Sequence, residues 1–124
     1  MAANRDTVLF QLLSANFQST ADQPFTQIYS GTAFAISAIV CRQRTGAATV
    51  ACVGGIYDGS NKSGNILVAA TQSWLTLGAG VMVIAGLAAL TANTILTAAP
   101  ILSLTTGSTG ACTGDLFIYG WDMT

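Results

Sequence analysis

The chain has 124 residues, 52% of them hydrophobic, only 7% charged, and no histidine. Its formal net charge is −1, from four Lys and Arg against five acids, all of them Asp. These numbers exclude disorder, which needs low hydrophobicity and high net charge. They exclude an electrostatic nucleic-acid binder, and they remove imidazole as a catalytic base and as a metal ligand. So little charge also predicts that copies of the chain, or a larger assembly, cover much of its surface.

The length suits one domain over residues 1–124. Residues 1–7 read as a short polar arm, because MAANRD lacks the basic and apolar regions of a signal peptide. From there the periodicity is mostly two, broken by turn residues, which predicts an all-β fold: a single antiparallel β-sandwich, jelly-roll-like, with about eight strands.

Residues 7–18 (TVLFQLLSANFQ) alternate as a strand, although Asp6 could also cap a short helix there. Asp22-Gln23-Pro24 is a turn signal, and Pro24 argues against a central strand. Residues 25–29 alternate until Gly31. Residues 33–42 and 49–57 read as a hairpin around Gly46 and Ala47. In that register Val40 faces Val53, Ala38 faces Gly55, Ile36 faces Tyr57, and Cys41 lies opposite Cys52.

Residues 58–64 (DGSNKSG) form a polar loop, and residues 65–70 a strand. Residues 71–77 read as a strand or a short crossing. Residues 81–87 read as a buried strand, residues 93–99 lead to Pro100, and residues 101–105 are a strand. After a turn at residues 107–110, residues 115–123 form the last strand. Phe117, Tyr119, Trp121 and Met123 share one of its faces, and Leu116 and Ile118 the other. The aromatic parity points to a core position for Tyr119 and Trp121.

Residues 74–92 (WLTLGAGVMVIAGLAALTA) are long and apolar enough for a membrane span, so a small single-span membrane protein is one alternative. Against it stand the missing flanking positive charge and the interrupting Gly78, Gly80 and Gly86. The preferred reading has no membrane partner and no nucleic-acid partner.

Chemistry finds little footing. No G-x-S-x-G occurs, and Lys62 is the sole lysine that could act as a base, in a loop of solvated type. Asp115 and Asp122 have opposite strand parity, and Asp22 and Asp58 sit in turn contexts. The residues predict no catalytic, cofactor-binding or metal site, no cofactor, and a non-enzymatic protein. Cys41, Cys52 and Cys112 are odd in number and lack metal-ligand spacing. Cys41 and Cys52 could bridge, but a reducing cytoplasm favours buried free thiols. Trp74, between Ser73 and Leu75, reads as an interface residue or as core.

The order of patterns along the chain carries a resemblance. It runs from LLSANF-x-ST-x-DQPF (residues 12–25) through GGIYDG (residues 54–59) and PILSLTT (residues 100–106) to a closing DLFIYGWD strand. Over nearly its whole length the chain resembles small β-sandwich structural proteins encoded among the head genes of tailed bacteriophages. The resemblance implies a virion protein made in the host cytoplasm, most simply a capsid decoration (cement) protein that stabilises the head. Its partners would be the major capsid protein and itself, as a homo-oligomer, dimer or trimer. A fibre, spike or tail component with a binding role, including a glycan-binding head, is the other reading. The capsid contacts expected are the arm, Ala2, Ala3, Asn4, Arg5 and Asp6, with Arg42, Arg44 and Trp74 as further interface candidates.

Overall fold

The computed structural model describes residues 7–46, 52–75, 81–84 and 95–123. They form ten strands and contain no α-helix. In chain order these are β1 (Thr7–Asn16), β2 (Gln23–Pro24), β3 (Thr26–Gln27), β4 (Phe34–Gly46), β5 (Val53–Gly59), β6 (Ser63–Val68), β7 (Val81–Ile84), β8 (Ile95–Leu96), β9 (Ile101–Thr106) and β10 (Cys112–Asp122).

One sheet runs β3-β1-β10-β4-β7, with β8 also paired to β4, and the other runs β2-β9-β5-β6. Every pairing is antiparallel. β7 and β8 follow each other in one direction along β4, so they are two pieces of one interrupted strand. β2 and β3, separated by the buried Phe25, likewise form one strand that leaves the smaller sheet for the larger. Counted so, eight strands remain. With the β2–β3 strand counted in the smaller sheet, successive strands alternate between the sheets except at the β5–β6 hairpin, and the first strand lies beside the last. That is jelly-roll wrapping, and Pro24 sits where proline is tolerated, at a sheet edge.

Bulges decide which face of each strand is buried. On β4, Ala38 pairs with Tyr119 and Ile36 with Gly120, which leaves Ser37 as an extra residue. One extra residue exchanges the faces of a strand. Phe34 and Ile36 therefore point into the core before the bulge, and Ile39 and Cys41 after it. β1 has the same device between Val8 and Phe10, and both Leu9 and Phe10 are buried. From the smaller sheet Ile56, Leu67, Leu102 and Leu104 complete the layer between the sheets. Phe10 and Phe34 meet edge to face at 5.3 Å, a favoured aromatic geometry.

The alternation of residues 7–16 is met by a strand, paired with both β3 and β10. Two other expectations need correction. The hairpin expected between residues 33–42 and 49–57 does not form. β4 is flanked by β10 on one side and β7 and β8 on the other, while β5 pairs with β6 and β9 in the opposite sheet. Cys41 accordingly faces Leu116 and Met82 along the ladder rather than Cys52. Gly46 ends β4 opposite Cys112, and Ala47 and Ala48 of the expected turn lie outside the described residues. The second correction concerns β10. Its two faces divide as expected, but Leu116 and Ile118 are the buried side, and Phe117, Tyr119 and Trp121 point outward.

Candidate interaction surface

The outward face of the larger sheet is its most distinctive feature. β10 is a central strand, and its alternate residues Asp115, Phe117, Tyr119, Trp121 and Met123 leave the core side. Beside them on β4 stand Arg42, Val40, Ala38 and Ala35, in ladder register with Asp115, Phe117, Tyr119 and Trp121. On the other side Gln11 pairs with Phe117, and Val8 with Tyr119. None of these apolar residues belongs to the core cluster or packs against it. Phe117, Tyr119, Val40, Ala38 and Ala35 are half-buried, while Trp121 keeps 38% and Met123 60% of its surface exposed. The result is an apolar sheet face with an aromatic row along its middle.

The charges at one end of this face differ in their freedom. Asp115 accepts from the backbone N–H of Ser14 at 2.8 Å and lies 3.7 Å from Arg44 Nε. Arg44 Nη1 also donates to Ser14 Oγ at 2.6 Å. Arg44 is thus engaged within the chain, holding the bulge where Ser14 takes a φ of 55°. Arg42 is exposed and makes no hydrogen bond or ion pair among the described residues.

Trp74, expected at an interface or in the core, is fully buried. Its Nε1 donates to the Gly54 carbonyl at 3.1 Å, and its ring meets Phe17 at 5.3 Å. The polar Ser73 beside it forms an isolated bridge with Val53, so the flanking residues mark a chain crossing, not a contact surface. Ala2, Ala3, Asn4, Arg5 and Asp6 lie outside the described residues. Thr7, which follows them, pairs with Gly120, beside Trp121.

A polar cluster missed by sequence reasoning lies on the outside of the smaller sheet. Lys62 Nζ donates to Ser103 Oγ at 2.9 Å, and Ser103 Oγ donates to Asp22 Oδ1 at 2.9 Å. The other Asp22 oxygen accepts from the Asn61 N–H at 2.8 Å. The Asn61 bond, then the Ser103 bond and the Lys62 charge, hold the Asp22 carboxyl below its ordinary range. Asn61 and Lys62 both take left-handed φ, 55° and 59°, a geometry costly for lysine. The cluster ties the loop before β2 and the β5–β6 turn to β9. Ser103 is wholly buried, so the arrangement is a latch and offers no attacking hydroxyl. Asp58 has the turn role expected of it and accepts from the Asn65 N–H at 2.6 Å.

Cys41, Cys52 and Cys112 are buried and unbridged. Burial pushes all three thiols above their ordinary range, which lowers their reactivity. Cys41 Sγ occupies room left by Gly114, and Cys52 Sγ donates to the Phe17 carbonyl at 3.6 Å. Among the described residues no group of three or more His, Cys, Asp or Glu could hold a metal ion, and no helix is long and apolar enough to cross a membrane. The strand at Val81–Ile84 interrupts any single helix over residues 74–92.

The class defined by these observations is a jelly-roll β-sandwich with one apolar outer face. Comparison of the chain with protein-family models, with curated proteins and with solved structures finds no match.

Proposed function

We propose that the chain is a non-enzymatic structural protein of a tailed-phage virion, a decoration protein that attaches in repeated copies to the outside of the head. The observation that carries this reading is the outward face of the larger sheet, whose apolar side chains and Arg42, free among the described residues, suit a protein that works as an oligomer within a larger assembly. Such a surface suits protein contact, since interfaces favour Trp, Tyr and Arg and disfavour Lys and Glu. The resemblance to small head-gene proteins supplies the setting.

Decoration works by mass action: a ligand that binds only the assembled lattice stabilises that lattice. Several modest contacts per oligomer multiply in effect when one oligomer spans neighbouring major capsid protein subunits. The arm, residues 2–6, is the proposed lattice contact, because Thr7, which follows it, is paired in β1 next to the exposed Trp121. Arg44 drops out, because Ser14 and Asp115 already engage it. Trp74 drops out because it is buried.

The test is particle-based. Purified protein is mixed with expanded heads lacking it, and bound copies and head melting temperature are measured. Full-length protein should co-sediment and raise the melting temperature, and deletion of residues 2–6 should lower both effects. Absence of co-sedimentation, or presence only in tails or fibres, overturns the reading in favour of a fibre component.

A further inference from the structure

We infer that the outward face of the larger sheet is a self-complementary dimer surface, on which a second copy of this chain packs face to face across a two-fold axis. The inference rests on reading that face as a protein-contact surface. Its test needs no phage particle, so failure of dimerisation and failure of head attachment are read separately.

Side-chain sizes in the observed register carry the argument. Consider an axis lying between two facing copies and running across the strands at the level of Ile118. It brings β10 over β10 and β4 over β4 with directions reversed. Along β4, Arg42 of one copy then meets Ala35 of the other, and Val40 meets Ala38. Along β10, Asp115 meets Trp121, and Phe117 meets Tyr119. Each large side chain on β4 falls over a small one. On β10 the indole falls over Asp115, which is 14% exposed and held by Ser14 and Arg44, so it does not project. The axis puts the one free charge of the face where it can be used. The Arg42 stem lies over Ala35, and its guanidinium lies against the indole of Trp121, the ladder neighbour of Ala35. Arginine on tryptophan is a favourable cation–π pair.

The area is adequate. β10 has 11 residues, about 37 Å at ~3.4 Å per residue. The strands β1, β10 and β4 lie side by side, about 14 Å across at ~4.8 Å per strand, and the four residues of β7 extend one edge. The face therefore offers roughly 600 Å², at the lower end of the ~600–1,000 Å² per partner of a standard interface. Two sheets packing face to face is also how this fold builds its own interior. A membrane or a glycan is less suited to the face, because neither explains why Arg42 and Val40 fall over the small Ala35 and Ala38 in the two-fold register.

The experiment is sedimentation velocity on the purified full chain from about 1 to 200 µM. The wild type should sediment as a dimer. Ala38→Arg, which adds a charge at the centre of the face without touching the core, should raise the dimer dissociation constant at least about 100-fold. Arg42→Glu should raise it about 10-fold. Circular dichroism checks the fold of each variant. Iodide quenching provides a second readout, since Trp74 is buried and Trp121 is the quenchable tryptophan. Trp121 should be protected in the wild type and accessible in Ala38→Arg. A monomeric wild type, a trimer, or a dimer unaffected by Ala38→Arg with Trp121 still accessible would overturn the inference.

Discussion

Trp74 is the sharpest test of the packing described above, because the sequence left it between interface and core. The structure buries it completely, with Phe17 against its ring and the Gly54 carbonyl on its Nε1. Trp74→Ala removes a fully buried indole, a change that costs about 3–5 kcal/mol through lost transfer energy and the cavity left behind. It also leaves the buried Gly54 carbonyl without its side-chain partner, which adds about 1 kcal/mol or more. Set against a total stability of about 5–15 kcal/mol, the variant should lose from about a quarter to all of it. Trp74→Phe keeps most of the ring and loses the donor, so its cost should be about 1–3 kcal/mol. The assay is urea unfolding followed by far-UV circular dichroism. A lower midpoint at unchanged slope is the expected result, with a melting point lower by about 3–6 °C per kcal/mol at this chain length. Neither variant should shift the sedimentation of folded protein. If Trp74→Ala unfolds at the wild-type midpoint while its oligomeric state changes, Trp74 is a contact residue and the assigned core is wrong.

The Asp22 latch predicts a pH dependence. Its folded carboxyl titrates below its ordinary value, so as pH falls below about 4 the unfolded chain takes up the proton first. The stabilisation is present above that point and is lost as pH falls through the lowered folded value. Asp22→Asn should flatten the acid limb of a melting-temperature profile measured between pH 2 and 6, and an unchanged limb would show that the latch contributes nothing. The thiols predict a second behaviour. Raised by burial, all three should resist a thiol reagent at neutral pH and react together once the unreduced protein is denatured. A single reactive thiol after denaturation would reveal a disulfide and contradict the free state.

The sandwich itself was legible because strand signals survive in short windows. Period-two alternation from Ile101 to Thr105, and again from Asp115 to Met123, is local information, and the turn chemistry of Asp58 to Gly64 is too. Pairing is not local. Phe34, Ile36, Ala38 and Val40 alternate so cleanly that they suggest one continuous face. Yet Ser37 is an extra residue in the ladder with β10, and the core face passes from Ile36 to Ile39. A strand read without its partner carries no mark of the bulge. The partner of β4 is also just over eighty residues away in sequence, between Ala38 and Tyr119. A local hairpin with β5 would occupy an edge that β4 needs for β10 or for β7 and β8. It loses to long pairings that bury apolar residues from both sheets.

The same reasoning explains why the interaction face was misplaced. On β10 both parities are apolar: Leu116 and Ile118 on one side, Phe117, Tyr119 and Trp121 on the other. Aromatic rings bury more area, which favours the aromatic side as core when the strand stands alone. Closure of the sandwich reverses that preference. On the inner parity of β10, Gly114 and Gly120 stand where the neighbouring strand β4 approaches closely. A Cβ at Gly120 would lie 1.9 Å from the Ala35 carbonyl oxygen. The inner row of Gly114, Leu116, Ile118 and Gly120 fits beside Cys41, Ile39 and Ile36, where side chains at the two glycine positions would not. The glycines that appear to weaken β10 thus select its inner face. They leave on the outside a row of rings larger than a solvated sheet requires, and covering those rings is what the proposed partner would contribute.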